Sequence, residues 1–161
     1  MSAIESGRGE TAEVKQFLYH WWNQSEPALG ATHFGVSAQV LIGTTTSDPA
    51  DSFDCILCSP SMFAEQFSVE KWGDDGFAVD VLPGGEVLPV AGVWLMRSWS
   101  PAAFESAVDR LIKACSPAPD WGELAARIGR VLPWEYDYRH DRTTNQHAGL
   151  QNPGRSFWAE G

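Results

Sequence analysis

Cys55 and Cys58 are the residues whose type and spacing most suggest covalent chemistry. In a Cys-x-x-Cys redox site the pair sits at a helix N-terminus, which lowers the thiol pKa. Here Ile56 and Leu57 separate the cysteines within a stretch typical of a strand. Because strand residues three apart point to opposite faces of a sheet, the two thiols are poorly placed to form a disulfide. We interpret both as small buried apolar residues, and Cys58, just before a helix start, is the better candidate nucleophile.

Other catalytic or metal-binding patterns are weak in this sequence. The four histidines, at positions 20, 33, 140 and 147, have no spacing typical of zinc ligands, and Cys115 stands apart from the other cysteines. The Gly-x-Ser-x-Gly nucleophile pattern and the Gly-x-x-x-x-Gly-Lys-Ser/Thr phosphate-binding pattern do not occur. The prediction is therefore a protein with no catalytic residue, no metal and no cofactor.

Two groups of acidic and aromatic residues could instead contact a protein partner. Asp74 and Asp75 lie close after Trp72, and Glu135 and Asp137 alternate with aromatic residues. In a strand, the latter two acids would share one face and the aromatics the other. The simpler interpretation is that the aromatics pack in the core while the acids face water. The alternative is a docking surface, because aromatic residues are enriched in interface hot spots and acids attract a basic partner.

The composition is that of a single folded, acidic domain. The chain has 161 residues, of which 43% are hydrophobic, and a domain of this size buries about 70% of its unfolded surface. The net charge of −10 argues against a nucleic-acid partner, which requires a basic surface. No apolar run approaches the ~20 residues of a membrane span. The first ten residues lack a signal-peptide pattern and the cysteine count is odd, so a cytoplasmic location is expected.

Alternating or short apolar runs predict several strands. The clearest covers residues 34–42, and others are expected at 53–57, 90–97 and 134–138. Residues 11–24 are ambiguous, because their apolar positions fit both a helix and an opening strand. Residues 69–90, rich in Gly, Asp and Pro, are predicted to form a long connection that could contain a hairpin at 77–82.

Three helix starts follow from capping chemistry. Ser59 and Ser100 each precede a proline, which fits the first helical position because its missing N–H has no partner there. Asp120, with Glu123 three residues later, forms a capping-box-like start. Pro117 and Pro133 end the second and third helices.

This order of elements, with strands early and helices late, predicts an α+β fold. We expect a mainly antiparallel sheet with two to three helices packed on one side. Residues 1–10 are expected to form a flexible leader, 11–140 a single α+β domain, and 141–161 a polar C-terminal tail.

Several short motifs, taken in order, resemble a known family. They are Val40-Leu41-Ile42-Gly43, the stretch 52–60 from Ser-Phe-Asp to Cys-Ser-Pro, Trp94-Leu95-Met96, Asp120-Trp121, Ile128-Gly129-Arg130 and the closing Trp134-Glu135-Tyr136-Asp137-Tyr138. Together they resemble the immunity protein 8 family over roughly two thirds of the chain. Relatives in this family usually begin with a strand, which favours a strand at 12–19. The family has no catalytic residues that could be transferred to this chain.

The resemblance implies a bacterial immunity protein, which binds the toxin domain of a polymorphic toxin system and silences it. Such toxins are often nucleases with basic clefts, so the expected partner is a basic toxin domain. A homodimer of this protein is a further alternative. The toxin-interface residues implied on this basis are Trp72, Asp74, Asp75, Glu135 and Asp137. Two alternatives remain open: a small thiol-dependent enzyme that uses Cys58, and an adaptor domain whose partner is not a toxin.

Overall fold

The computed structural model describes residues 9–68 and 90–136, which form one four-stranded sheet and three helices. The strands lie in the order β1-β2-β3-β4; β2 is antiparallel to both β1 and β3, whereas β4 runs parallel to β3. This confirms the predicted α+β class and the mainly antiparallel sheet. The elements are β1 Ala12–Trp21, β2 Gly35–Thr44, β3 Asp51–Cys58, α1 Pro60–Gln66, β4 Val93–Leu95, α2 Pro101–Cys115 and α3 Trp121–Gly129.

The ambiguous N-terminal segment is a strand. Residues of β1 pair with β2 in an antiparallel register in which Phe17 faces Val40 and Trp21 faces Val36. The register shifts between Val14 and Gln16, so that one extra residue forms a β-bulge. This bulge interrupts the simple alternation of strand residues, which is why the apolar positions of the segment also fit a helix.

The two faces of the sheet carry separate apolar clusters. Alternate residues of β2 and β3 point to the face covered by α2 and α3, where they form the larger core. The opposite face carries a smaller cluster in which Met62 of α1 packs with Ile56 and Cys58. The two long helices therefore account for the expected helices on one side. The larger core includes Val36, Ala38, Val40, Phe53, Cys55, Leu57, Phe104, Val108, Ile112, Leu124, Ala125 and Ile128.

All three predicted helix caps are present. Each capping side chain accepts a hydrogen bond from the backbone N–H three residues later, which satisfies one of the unpaired donors of the first turn. The donor–acceptor distances are 3.2 Å for Met62 to Ser59, 3.2 Å for Ala103 to Ser100 and 2.9 Å for Glu123 to Asp120.

Two predicted strands differ from the structure. β4 is shorter than the expected 90–97 and covers only Val93–Leu95. At the C-terminal segment, Trp134 forms an isolated bridge with Phe53, and residues 135 and 136 form a turn. The reason is that two short segments share the outer edge of β3. Pro133 and its neighbours bond to the first half of this edge, and β4 bonds to the second half.

Two predicted segments lie outside the described residues, namely the hairpin at 77–82 and the tail at 141–161. Of the expected leader, residues 9 and 10 are described, and the backbone of Glu10 forms a bridge with Ala118. Within residues 9–68 and 90–136, no helix is both long and apolar enough to cross a membrane.

Candidate functional site

Only one of the five predicted interface residues can be located. Trp72, Asp74, Asp75 and Asp137 lie outside the described residues. Glu135 is described and lies in the turn that follows Trp134.

Glu135 is half-buried and bonds to the outer edge of β3 near the start of the strand. Its Oε1 accepts a hydrogen bond from the backbone N–H of Ser52 over 2.7 Å. Its own backbone N–H donates to the Ser52 carbonyl over 3.0 Å. The side chain therefore fixes the segment that follows α3 to the sheet, in addition to carrying a negative charge near the surface.

Asp51 lies beside this contact and was not predicted from the sequence. Its Oδ2 accepts hydrogen bonds from two indoles, Trp121 Nε1 at 2.8 Å and Trp134 Nε1 at 3.0 Å. Asp51 and Glu135 form no ion pair with any basic side chain of the described residues. Because their hydrogen-bond donors are neutral, the two negative charges are not compensated by these contacts. The sequence signal for this arrangement was the Asp120-Trp121 helix start, which gives no indication of its partner in β3.

A second group of acidic and aromatic residues lies at the opposite edge of the sheet, where β1 ends. Tyr19 and Trp21 stack with ring centroids 5.6 Å apart, and both rings contact Trp99 edge-on. The Tyr19 hydroxyl donates to Glu105 Oε2 over 2.7 Å, and Trp99 Nε1 donates to Glu26 Oε2 over 3.2 Å. Burial, followed by the hydrogen bond and negative charge of Glu105, raises the pKa of Tyr19. This group was missed because its members come from two distant stretches of the sequence, 19–26 and 99–105.

The cysteines do not form a reactive site. Cys58 is 0% exposed, and burial raises the pKa of its thiol to about 11. Cys55 is also fully buried, on the other face of the sheet, and its pKa is raised mainly by burial. Both properties oppose the thiolate form that nucleophilic chemistry requires. Cys115 is half-buried, and burial also raises the pKa of this thiol.

Metal binding has no support in the part of the chain that the structure describes. No group of three or more His, Cys, Asp or Glu side chains within it is arranged to hold a metal ion. The acidic groups at the two sheet edges are instead bonded to neutral backbone and aromatic donors.

The similarity of this chain to known proteins is found at the level of a family. No curated protein and no solved structure matches the chain. A family model described as immunity protein 8 matches residues 12–138. This range begins at the first residue of β1 and includes every strand and helix described above. It therefore extends the motif resemblance, whose first motif begins at Val40, to the N-terminal strand. The chain belongs to the immunity protein 8 family.

Proposed function

We propose that this protein neutralises a toxin of a bacterial polymorphic toxin system by binding its toxin domain. The observation that carries this proposal is the family match over residues 12–138. Immunity proteins act on a toxin partner, and the proposed partner here is a basic, nuclease-type domain. The protein would act in the cytoplasm of the producing cell, without a catalytic step of its own.

The charge of the chain supports a basic partner. The net charge of −10 would attract the positively charged cleft of a nuclease and accelerate association. Nuclease clefts are basic because they bind phosphate groups. An acidic protein that occupies such a cleft would exclude the nucleic acid, and salt would weaken the attraction.

The contact surface that we propose includes Trp72, Asp74, Asp75, Glu135 and Asp137. Glu135 supports this assignment because it has no cationic partner among the described residues and lies near a second uncompensated acid, Asp51. Aromatic residues next to acids would supply the apolar contact area, while the acids would orient a basic partner.

The alternative of a thiol-dependent enzyme receives no support from the structure. That hypothesis requires an accessible thiol with a low pKa at Cys58, whereas the side chain is fully buried and its pKa is raised. A binding function is therefore a better proposal than a thiol-dependent enzyme for a chain in which Cys58 is buried.

Co-expression with the toxin domain encoded beside this protein tests the proposal. The toxin domain alone should stop growth and degrade nucleic acid, and the pair should grow normally. The two purified proteins should form a one-to-one complex whose affinity falls as salt is raised. If cells die equally with and without this protein, and the purified proteins do not associate, the proposed function is wrong.

Charge reversal tests the acidic surface separately. Asp74→Lys and Asp75→Lys should each slow association with the toxin domain at low salt, because each replaces an attractive charge by a repulsive one. Asp48→Lys is the matched control, since Asp48 is exposed in the loop between β2 and β3 and the substitution changes the net charge equally. Equal association rates for all three variants would remove residues 74 and 75 from the contact surface.

A further inference from the structure

β1 is an edge strand, and within residues 9–68 and 90–136 no segment pairs with the second half of its outer edge. The sheet order places β1 at one end, with β2 as its only neighbour among the described strands. The outer edge of a strand presents backbone N–H and C=O groups that can pair with another chain. Which residues present these groups follows from the hydrogen-bond alternation of the antiparallel sheet.

The direction of the backbone groups in β3 fixes this alternation. The N–H groups of Asp54 and Ile56 donate to Pro133 and Gly92, on the side away from β2. Their register partners in β2, Gln39 and Ser37, therefore direct their own backbone groups away from β3 and towards β1.

The alternation continues from β2 into β1. Gln39 and Ser37 pair with Leu18 and His20, so these two residues of β1 bond to β2. The residues between and beside them must then point their N–H and C=O groups outward. These residues are Phe17, Tyr19 and Trp21.

The first half of β1 is protected against further pairing. The N–H of Ala12 donates to Ser116 Oγ over 3.2 Å, so a side chain already satisfies it. The bulge at Lys15 follows, where the register with β2 shifts. Bulges are a usual protection of sheet edges. The second half, residues 17–21, has no such feature.

The open half lies against the second acidic and aromatic group. Tyr19 and Trp21 are both half-buried and stacked, a type of surface found at interface hot spots. Glu105 and Glu26 accept bonds from a hydroxyl and an indole, and neither forms an ion pair with a basic side chain of residues 9–68 and 90–136. The chemistry beside this edge is therefore aromatic and negatively charged.

We propose that an extended segment of the toxin domain, carrying lysine or arginine, pairs with residues 17–21 of β1 as a fifth strand of the sheet. This inference rests on the proposed function. Main-chain hydrogen bonds would supply affinity. Basic side chains of the toxin segment, on the face of the sheet that α2 covers, would reach Glu105 and Glu26. A second copy of this chain is a poorer occupant, because pairing β1 with itself would bring the same acids together across the interface.

Amide hydrogen exchange measured residue by residue by NMR tests the open edge. In the free protein, the amides of Leu18 and His20 should exchange slowly, while those of Phe17, Tyr19 and Trp21 exchange rapidly. Adding the toxin domain encoded beside this protein should slow the three outward amides by at least about tenfold. Protection of these amides in the free protein that grows with its concentration would show that a second copy occupies the edge, which overturns the proposal.

Variants that remove one negative charge test whether the acidic side chains beside the edge contribute to toxin binding. Glu105→Gln keeps an acceptor for the Tyr19 hydroxyl and removes the charge, so binding should weaken about threefold to tenfold at low salt without loss of stability. Glu123→Gln on α3 is the control, since Glu123 already pairs with Arg127. If the wild-type protein binds the toxin domain but the outward amides stay unprotected, the inference is wrong and the proposed function stands. If the wild-type protein does not bind, both fail.

Discussion

The Glu135 carboxylate accepts a hydrogen bond from the backbone N–H of Ser52 over 2.7 Å, across 83 residues of sequence. The backbone N–H of Glu135 returns a bond to the Ser52 carbonyl over 3.0 Å. The acid that the sequence suggested for docking therefore also holds the C-terminal segment against β3. Loss of toxin binding in a Glu135 variant would have two explanations, and only variants that separate charge from hydrogen bonding can distinguish them.

Glu135→Ala should destabilise the protein, whereas Glu135→Gln should not. Alanine leaves the partly buried N–H of Ser52 without its acceptor, which costs about 1–3 kcal/mol, while glutamine retains an acceptor oxygen. Urea unfolding followed by circular dichroism measures the difference. If Glu135→Gln keeps the stability but slows toxin association, the charge acts in docking. A Glu135→Ala midpoint equal to that of the wild type would show that the bond to Ser52 contributes nothing.

Asp51→Ala should be more damaging than Asp51→Asn. The single oxygen Oδ2 accepts both indole N–H groups, from Trp121 and Trp134, and alanine would leave both donors unsatisfied. Hydrogen bonds to a charged acceptor contribute about 1.5–3 kcal/mol each, so we expect a loss of about 3 kcal/mol for alanine and about 1 kcal/mol for asparagine. Equilibrium unfolding of the two variants checks the order, and a smaller loss for alanine than for asparagine would contradict it.

Phe104 should be among the most sensitive core positions. It is 1% exposed, and its ring packs edge-on against Phe17, Tyr19 and Trp94, so it connects α2 with β1 and β4. Phe104→Ala should cost about 3–5 kcal/mol, because it removes buried area and leaves a cavity.

Val131→Ala is the matched control for this truncation, since Val131 is 51% exposed. Its effect on the free energy of unfolding should stay within about 0.5 kcal/mol. Both values come from the same urea titration, and a comparable loss for the two variants would show that Phe104 does not occupy the centre of a packed core.

Local chemistry explains why much of the fold could be predicted. The three caps at Ser59, Ser100 and Asp120 depend on bonds that span three residues, and the structure contains all of them. The strand at 34–42 was equally clear, because alternating apolar residues indicate directly that one face of a strand is buried. The family resemblance favoured a strand for the ambiguous N-terminal segment, and the structure contains that strand as β1.

Long-range contacts explain what the sequence did not reveal. The bonds from Trp121 and Trp134 to Asp51 join residues 70 and 83 positions apart, and no local sequence pattern indicates them. The open edge of β1 depends on the strand order and on the side chain of Ser116, which is 104 residues from Ala12. The length of β4 was misjudged for a similar reason, since the edge of β3 is shared with a segment that is distant in sequence.

The cysteines give a prediction that combines reactivity with pH. Cys58 and Cys55 should resist alkylation at pH 8 in the folded protein, because both are fully buried and burial raises the pKa of both thiols, that of Cys58 to about 11. Cys115 is half-buried and should be the first to react. Mass spectrometry after brief treatment with iodoacetamide, with a urea-unfolded control in which all three react, measures this. Rapid native labelling of Cys58 would revive the thiol-enzyme hypothesis.

The same shift predicts a loss of stability at alkaline pH. The ordinary thiol pKa is 9.0, so above this value the unfolded chain releases a proton from Cys58 while the folded protein retains it up to about pH 11. The unfolded state then binds fewer protons, and the free energy of unfolding must fall as pH rises from about 9 to 11. Cys58→Ala should reduce this dependence, leaving the share of the other buried groups with raised pKa, Cys55 and Tyr19, while costing some packing at neutral pH. Urea titrations at pH 7, 9 and 10.5 measure both effects, and parallel curves for the two proteins would mean that Cys58 does not contribute to the alkaline loss.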